Sequence, residues 1–175
     1  LDLGSGADSL GLVEDFDGGQ ILGGTGNDDL SVAGISFVSS TMDGGANRDT
    51  IYLTKTPSAA VVYGGAGADS LVVDTQLNAS TVWGGSSSVT STDGADTIYV
   101  NGTLSGSEIN ANAGADTIDV RGPALGAAHV KGGQGGDSLY VSGSLDASTV
   151  SANKGADTLT ITGALKSGTV YGGGV

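Results

Sequence analysis

The sequence predicts an all-β chain folded as a parallel β-solenoid, a β-roll or β-helix of about eight coils of ~20 residues. Three observations predict it. A G-x-D or N-x-D motif recurs along the whole chain, aliphatic residues follow each of its Asp residues at fixed offsets, and many of the 33 glycines in 175 residues fall just before it. The motif Asp stands at Asp8, Asp28, Asp49, Asp69, Asp96, Asp116, Asp137 and Asp157, at intervals of 20, 21, 20, 27, 20, 21 and 20 residues. The one long interval holds a Ser/Thr-rich loop insertion over residues 86–92.

Each coil is justified by its apolar columns. Two places after each Asp stand Leu10, Leu30, Ile51, Leu71, Ile98, Ile118, Leu139 and Leu159. Four places after stand Leu12, Val32, Leu53, Val73, Val100, Val120, Val141 and Ile161. This period of two is that of a strand with one buried face. A second short strand is expected ahead of the turn, from Leu1, Ile21, Met42, Val62, Val82, Ile109, Val130 and Val150. A looser third ladder runs through Leu77, Leu104, Leu125, Leu145 and Leu165. One coil cannot bury its own apolar face, but a stack can. Eight coils at ~4.8 Å each make a rod roughly 40 Å long. A helical fold is excluded by the Gly and β-branched content.

Composition narrows the function classes. Seventeen Asp and two Glu face six Lys and Arg, for a net charge of −13. Nucleic acid is an unsuitable partner for so acidic a chain, because phosphate contacts need bases. With no Cys, disulfide and thiolate-metal chemistry are excluded. Disorder, the usual fate of Gly- and Ser-rich acidic chains, is opposed by 38% hydrophobic residues and a mean hydropathy of +0.09. No 18-residue apolar run suggests a transmembrane segment. The chain begins and ends inside its motif, so residues 1–175 are expected to be a single repeat solenoid cut from a longer protein.

The turn before each Asp carries the chemistry. Its fullest copies are Gly23-Gly24-Thr25-Gly26-Asn27-Asp28, Gly64-Gly65-Ala66-Gly67-Ala68-Asp69 and Gly132-Gly133-Gln134-Gly135-Gly136-Asp137. Where a glycine of this turn is replaced, Asn47, Asn112 and Asn153 take its place. Asn is among the side-chain-bearing residues that best tolerate positive φ, so the pattern specifies a backbone conformation. These turns resemble the GGxGxD-x-aliphatic-x signature of RTX, or hemolysin-type, calcium-binding repeats, along the whole chain. The resemblance implies Ca²⁺ held between successive turns by Asp8, Asp28, Asp49, Asp69, Asp96, Asp116, Asp137 and Asp157. Backbone carbonyls near Gly24, Gly26, Gly65, Gly67, Gly133 and Gly135 would complete its shell. Hard oxygen donors in a flexible arrangement suit Ca²⁺ independently.

The departures from that family set further expectations. The family carries two such motifs per coil, whereas only one half of each coil here has it, so at most one row of ions is expected. Arg48 beside Asp49 is expected to replace or repel a cation there. The insertion separates Gly84-Gly85 from Gly94-Ala95-Asp96 and is expected to spoil or remodel the fifth site. Against a metal stands the ordinary turn Asp, which hydrogen-bonds its own backbone. Stacking favours the metal: unscreened carboxylates roughly 5 Å apart repel by about 1 kcal/mol per neighbour even at high dielectric.

The expected function is a calcium-stabilised structural solenoid of an extracellular or surface protein, such as an adhesin, surface layer, filament or virion appendage. Its expected partners are calcium ions and neighbouring domains or copies of the same protein. An alternative is a module binding glycans or a protein partner through the outward column Tyr63, Trp83 and Tyr171. A lyase-like enzyme is less favoured, because Arg48, Lys55, Arg121, Lys131, Lys154 and Lys166 occupy different columns, and His129 faces outward beside no nucleophile. No enzymatic activity is expected. An ice-binding face would need a regular Thr array, and the residue after each Asp is Ser or Thr in seven of eight coils.

Overall fold

The computed structural model describes residues 1–34, 36–86 and 93–174. Among them lie twenty-four short strands and no helix. The strands form three eight-stranded sheets in which every neighbour is three elements away in sequence, so each coil gives one strand to each sheet. All strand pairings are parallel. This is the predicted solenoid, with three strands per coil because the looser third ladder forms a strand of its own. The insertion at 86–92 lies, apart from Ser86, outside the described residues.

The first sheet runs from Ser9–Leu12 to Thr158–Ile161 and carries the two columns that follow each Asp. Leu71, for example, stands between Ile51 and Ile98, and Val73 between Leu53 and Val100. The third sheet runs from Gln20–Leu22 to Thr169–Tyr171 and stacks Ile21, Met42, Val62, Val82, Ile109, Val130 and Val150. The columns of these two sheets and the second meet in one continuous core whose middle coils are fully enclosed. The second sheet is made of two-residue strands, from Phe16–Asp17 to Leu165–Lys166. Its inward column is Phe16, Phe37, Pro57, Leu77, Leu104, Ala124, Leu145 and Leu165.

That column corrects the looser ladder at one place. Leu125 pairs beside Ser105 and is 36% exposed, whereas Ala124 holds the core position at 0%. The sixth coil is one residue longer than its neighbours. Its extra residue falls after the strand, at a corner where both Gly126 and Ala127 have positive φ. Counting to the nearest leucine therefore overshoots by one.

The corner between the second and third sheets has a second regularity. Ser39, Ala59, Ala79, Ala127, Ala147 and Ser167 all have φ between 45° and 62°. Ser40, Ser80, Ser107 and Ser148 follow such corners, each about 2% exposed. Their hydroxyls donate to the carbonyl two residues back, at 2.8–3.1 Å. A buried hydroxyl needs such a partner, and this local bond also closes the left-handed corner.

The register correction is testable by urea denaturation. Leu104→Ala should lower the unfolding free energy by about 2–5 kcal/mol. Leu125→Ala should cost under about 1 kcal/mol, as an exposed position does. Equal costs would return Leu125 to the core.

Candidate metal-binding edge

The turn joining the third sheet to the first is built on left-handed backbone. Gly24, Gly65 and Gly133 have φ of 101°, 112° and 115°; Gly26, Gly67 and Gly135 follow at 131°, 154° and 136°. Asn47, Asn112 and Asn153 sit at 84°, 75° and 68°, so the asparagines do adopt the glycine conformation. This double reversal aims main-chain carbonyls at the neighbouring coils and turns the following Asp inward.

All eight motif Asp residues are brought into one column. Asp28, Asp49, Asp69, Asp96, Asp116 and Asp137 are each no more than 2% exposed. Each carboxylate takes its hydrogen bond from the preceding coil. Asp49 Oδ1 accepts the Asp28 N–H at 2.8 Å, and Asp69 Oδ1 accepts the Asp49 N–H at 2.7 Å. The ladder is continuous from Asp8 to Asp157. The bond thus runs between coils, not to each Asp's own backbone as in an isolated turn.

Oδ1 is satisfied in the seven residues from Asp28 to Asp157, and Oδ2 is not. In every one of the eight motif residues Oδ2 is buried without a hydrogen-bond partner. A half-satisfied buried carboxylate is costly, and a stack of them more so. Beside the Oδ2 of Asp28, Asp49, Asp69, Asp96 and Asp137 lies a main-chain carbonyl that the sequence did not single out. A Cβ built on Gly44 would lie 2.3 Å from Gly64 O and 2.7 Å from Asp49 Oδ2. One built on Gly64 would lie 2.0 Å from Gly84 O and 2.9 Å from Asp69 Oδ2. Gly23 and Gly132 repeat the arrangement, with Gly44 O beside Asp28 Oδ2 and Ala152 O beside Asp137 Oδ2.

This donor set fits a hard divalent cation: carboxylate oxygen plus carbonyl oxygen, with no imidazole or thiolate. Among the described residues no three His, Cys, Asp or Glu side chains converge on one point. Main-chain carbonyls would therefore supply most of any coordination shell. Arg48 does not take the cation's place. It is exposed, its backbone N–H bonds Asn27 Oδ1 at 3.2 Å, and no ion pair joins it to the buried Asp49.

Burial is the main cause of a shared electrostatic shift. It pushes the Asp49 carboxyl up to about 6, Asp69 and Asp116 to about 7, and Asp96 to about 8; the inter-coil N–H bond opposes the shift, and neighbouring carboxylates add to it. Asp137 is raised for the same reasons.

The outward aromatics are only partly gathered. Tyr63 and Trp83 meet edge-to-face at 5.4 Å between centroids. Tyr171 lies in the same column but beyond Asn110, Lys131 and Ser151. His129 is exposed and pairs between Glu108 and Thr149. On the first sheet, Ser9, Thr50, Ser70, Thr97, Thr117, Ser138 and Thr158 form a hydroxyl ladder interrupted at Asp29. The next outward column carries Tyr52, Val72, Tyr99, Asp119 and Tyr140.

Comparison with protein-family profiles finds no match, and comparison with curated proteins finds none either. Among solved structures, the chain is similar to a hyperactive, Ca²⁺-dependent, β-helical antifreeze protein from an Antarctic bacterium, with a TM-score of 0.74 at 24% identity. The likeness is one of fold. It covers 97% of this chain and 62% of that one, so this chain spans less than two thirds of that protein's length. No helix among the described residues is long and apolar enough to cross a membrane.

The raised carboxyls give a pH prediction for the metal-free protein. An acid whose pKa is higher folded than unfolded stabilises the fold below the unfolded value of about 3.8; that contribution is lost as pH rises through the folded values of about 6–8. Melting temperature measured in chelator should therefore fall between about pH 4 and pH 8. A metal-free melting temperature that rises over that window would contradict the buried ladder.

Proposed function

We propose that this chain is a calcium-binding, calcium-stabilised β-solenoid of the RTX-like kind, serving as a rigid structural segment of an extracellular or surface protein. We assign it no catalysis. The observation that carries this reading is the column of eight buried Oδ2 atoms without partners, five of them beside main-chain carbonyls. A divalent ion supplies positive charge at the place where burial penalises the carboxylates. Its ligands here would be the Oδ2 atoms of Asp8, Asp28, Asp49, Asp69, Asp96, Asp116, Asp137 and Asp157. The carbonyls would come from Gly44, Gly64, Gly84, Ala111 and Ala152 and from the left-handed turns.

Physically, the ion couples folding to the calcium concentration outside the cell. Without it, the ladder concentrates negative charge and opposes coil stacking. With it, each gap between coils gains a crosslink independent of the hydrophobic core. Several supports favour this reading: the motif, the donor set, and the calcium dependence named for the structurally similar antifreeze protein. Adhesin, surface layer, filament and virion appendage are the settings in which a stiff rod is useful, with adjacent domains or further copies as its partners.

Comparing melts in chelator and in excess Ca²⁺ tests the proposal. Each site held at a free concentration 100-fold above its Kd should add about 2.7 kcal/mol. Asp116→Asn sharpens the test, because Asn keeps the Oδ1 acceptor and removes the charge. In chelator the variant should match or exceed the wild type in stability, and in Ca²⁺ it should fall below it. Identical melts with and without calcium would sink the metal role.

Ice binding is the second reading, favoured by the hydroxyl ladder of the first sheet and by the antifreeze neighbour. The adjoining Tyr52, Tyr99 and Tyr140 break the flatness such a face needs. A structural rod should show no thermal hysteresis at an ice front in millimolar calcium. Hysteresis abolished by Thr97→Tyr would move the function to that sheet.

A further inference from the structure

Three of the five tyrosines share one outward column of the first sheet. Tyr52, Tyr99 and Tyr140 fall in the third, fifth and seventh coils, with Val72 and Asp119 in the coils between. Successive tyrosines are thus two strand spacings apart, roughly 10 Å. The column is small at both ends, with Gly11 and Ser31 before the stripe and Thr160 after it. Tyr52 and Tyr140 are 36% and 41% exposed.

Two carboxylates hold these side chains in place. The Tyr52 hydroxyl donates to Asp74 Oδ2 at 3.3 Å, and Asn101 Nδ2 donates to Asp74 Oδ1. Asp119 Oδ2 accepts from Arg121 Nε and Nη2, both at 3.2 Å, and the guanidinium lies 4.5 Å from the Tyr99 ring centroid. The Arg121 side chain is still 54% exposed, so it carries donors to the surface. Exposed Thr97, Thr117 and Ser138 run along one flank of the stripe, and exposed Asp74, Asn101 and Arg121 along the other.

An aromatic stripe between two polar rows suits a pyranose chain. The C–H face of a sugar stacks on a ring's electron-rich face, and the hydroxyls at its rim reach the flanking groups. In an extended β-1,4-linked chain the sugars flip at every residue, so the same face returns every second sugar, a repeat close to two coil steps. An α-1,4-linked chain coils and cannot follow a straight row. The net charge of −13 repels polyanions, and Asp119 and Arg121 already neutralise each other, so the complementary chain is uncharged. Side chains fixed before binding lose little entropy on contact.

We propose that the outer face of the first sheet binds an uncharged, extended β-1,4-linked glycan laid along the rod axis. Tyr52 and Tyr140 seat sugars, Tyr99 and Arg121 together meet the chain between them, and the flanking rows bond its hydroxyls. This goes beyond the calcium reading and needs only the coil register.

Isothermal titration with cellohexaose and with N-acetylated chitohexaose tests it, in millimolar calcium, with maltohexaose as the α-linked control. At least one β-linked hexasaccharide should bind, and maltohexaose should not. Tyr52→Ala and Tyr140→Ala should each weaken binding about tenfold, the loss of one stacked ring. Trp83→Ala, on the third sheet, should leave it unchanged. Far-ultraviolet circular dichroism confirms that each variant folds. Failure of both β-linked sugars to bind, equal binding of maltohexaose, or binding indifferent to both tyrosine substitutions would overturn the proposal. Binding lost with Trp83→Ala instead would place the glycan on the third sheet and overturn it equally. A melt unchanged by chelator would overturn the calcium reading and leave this one standing.

Discussion

The structure turns on a stack of carboxylates that is only half satisfied. Strand pairing fixes the coil spacing, and that spacing places each motif Asp directly over the next. One oxygen of each is used well, closing the inter-coil ladder through Oδ1. A charge-assisted bond of this kind contributes about 1.5–3 kcal/mol. The other oxygen is sealed from water without a partner. Unpaired buried charge costs several kcal/mol per ion, so the bond alone does not balance it. Protonation or a cation must make up the difference. The glycine-rich turn serves the same constraint, since a Cβ at Gly23, Gly44, Gly64, Gly84 or Gly132 would occupy the space beside the orphaned oxygen and its carbonyl.

Much of the fold was legible because a solenoid writes its register into the chain. Leu71 and Val73 look alike in every coil, and the structure stacks them as the offsets require. Legibility failed where the coil length varies. The misplacement of Leu125 came from an extra residue at a corner, and local sequence does not say on which side of a two-residue strand an insertion falls. The third strand of each coil was similarly weak in signal, being too short to display an alternation of its own.

The candidate edge was legible at the level of residue type and less so at the level of atoms. Asn47, Asn112 and Asn153 announced the left-handed turn, and their positive φ follows that reading. The Asp column was visible as a repeat, yet its division into a bonded and an unbonded oxygen needs three-dimensional stacking. The carbonyls of Gly44, Gly64 and Gly84 were overlooked because a main-chain donor leaves no mark in a sequence. The buried Ser40, Ser80, Ser107 and Ser148 could have been found, since they recur in register opposite the Asp turn.

If this edge is a row of cation sites, the folded chain holds a countable number of ions. Counting them tests the row most directly, by equilibrium dialysis against calcium at neutral pH followed by elemental analysis. Eight stacked carboxylates enclose seven gaps, and several ions per chain are expected, approaching one per gap. A folded chain that retains no calcium under those conditions would contradict the row of sites.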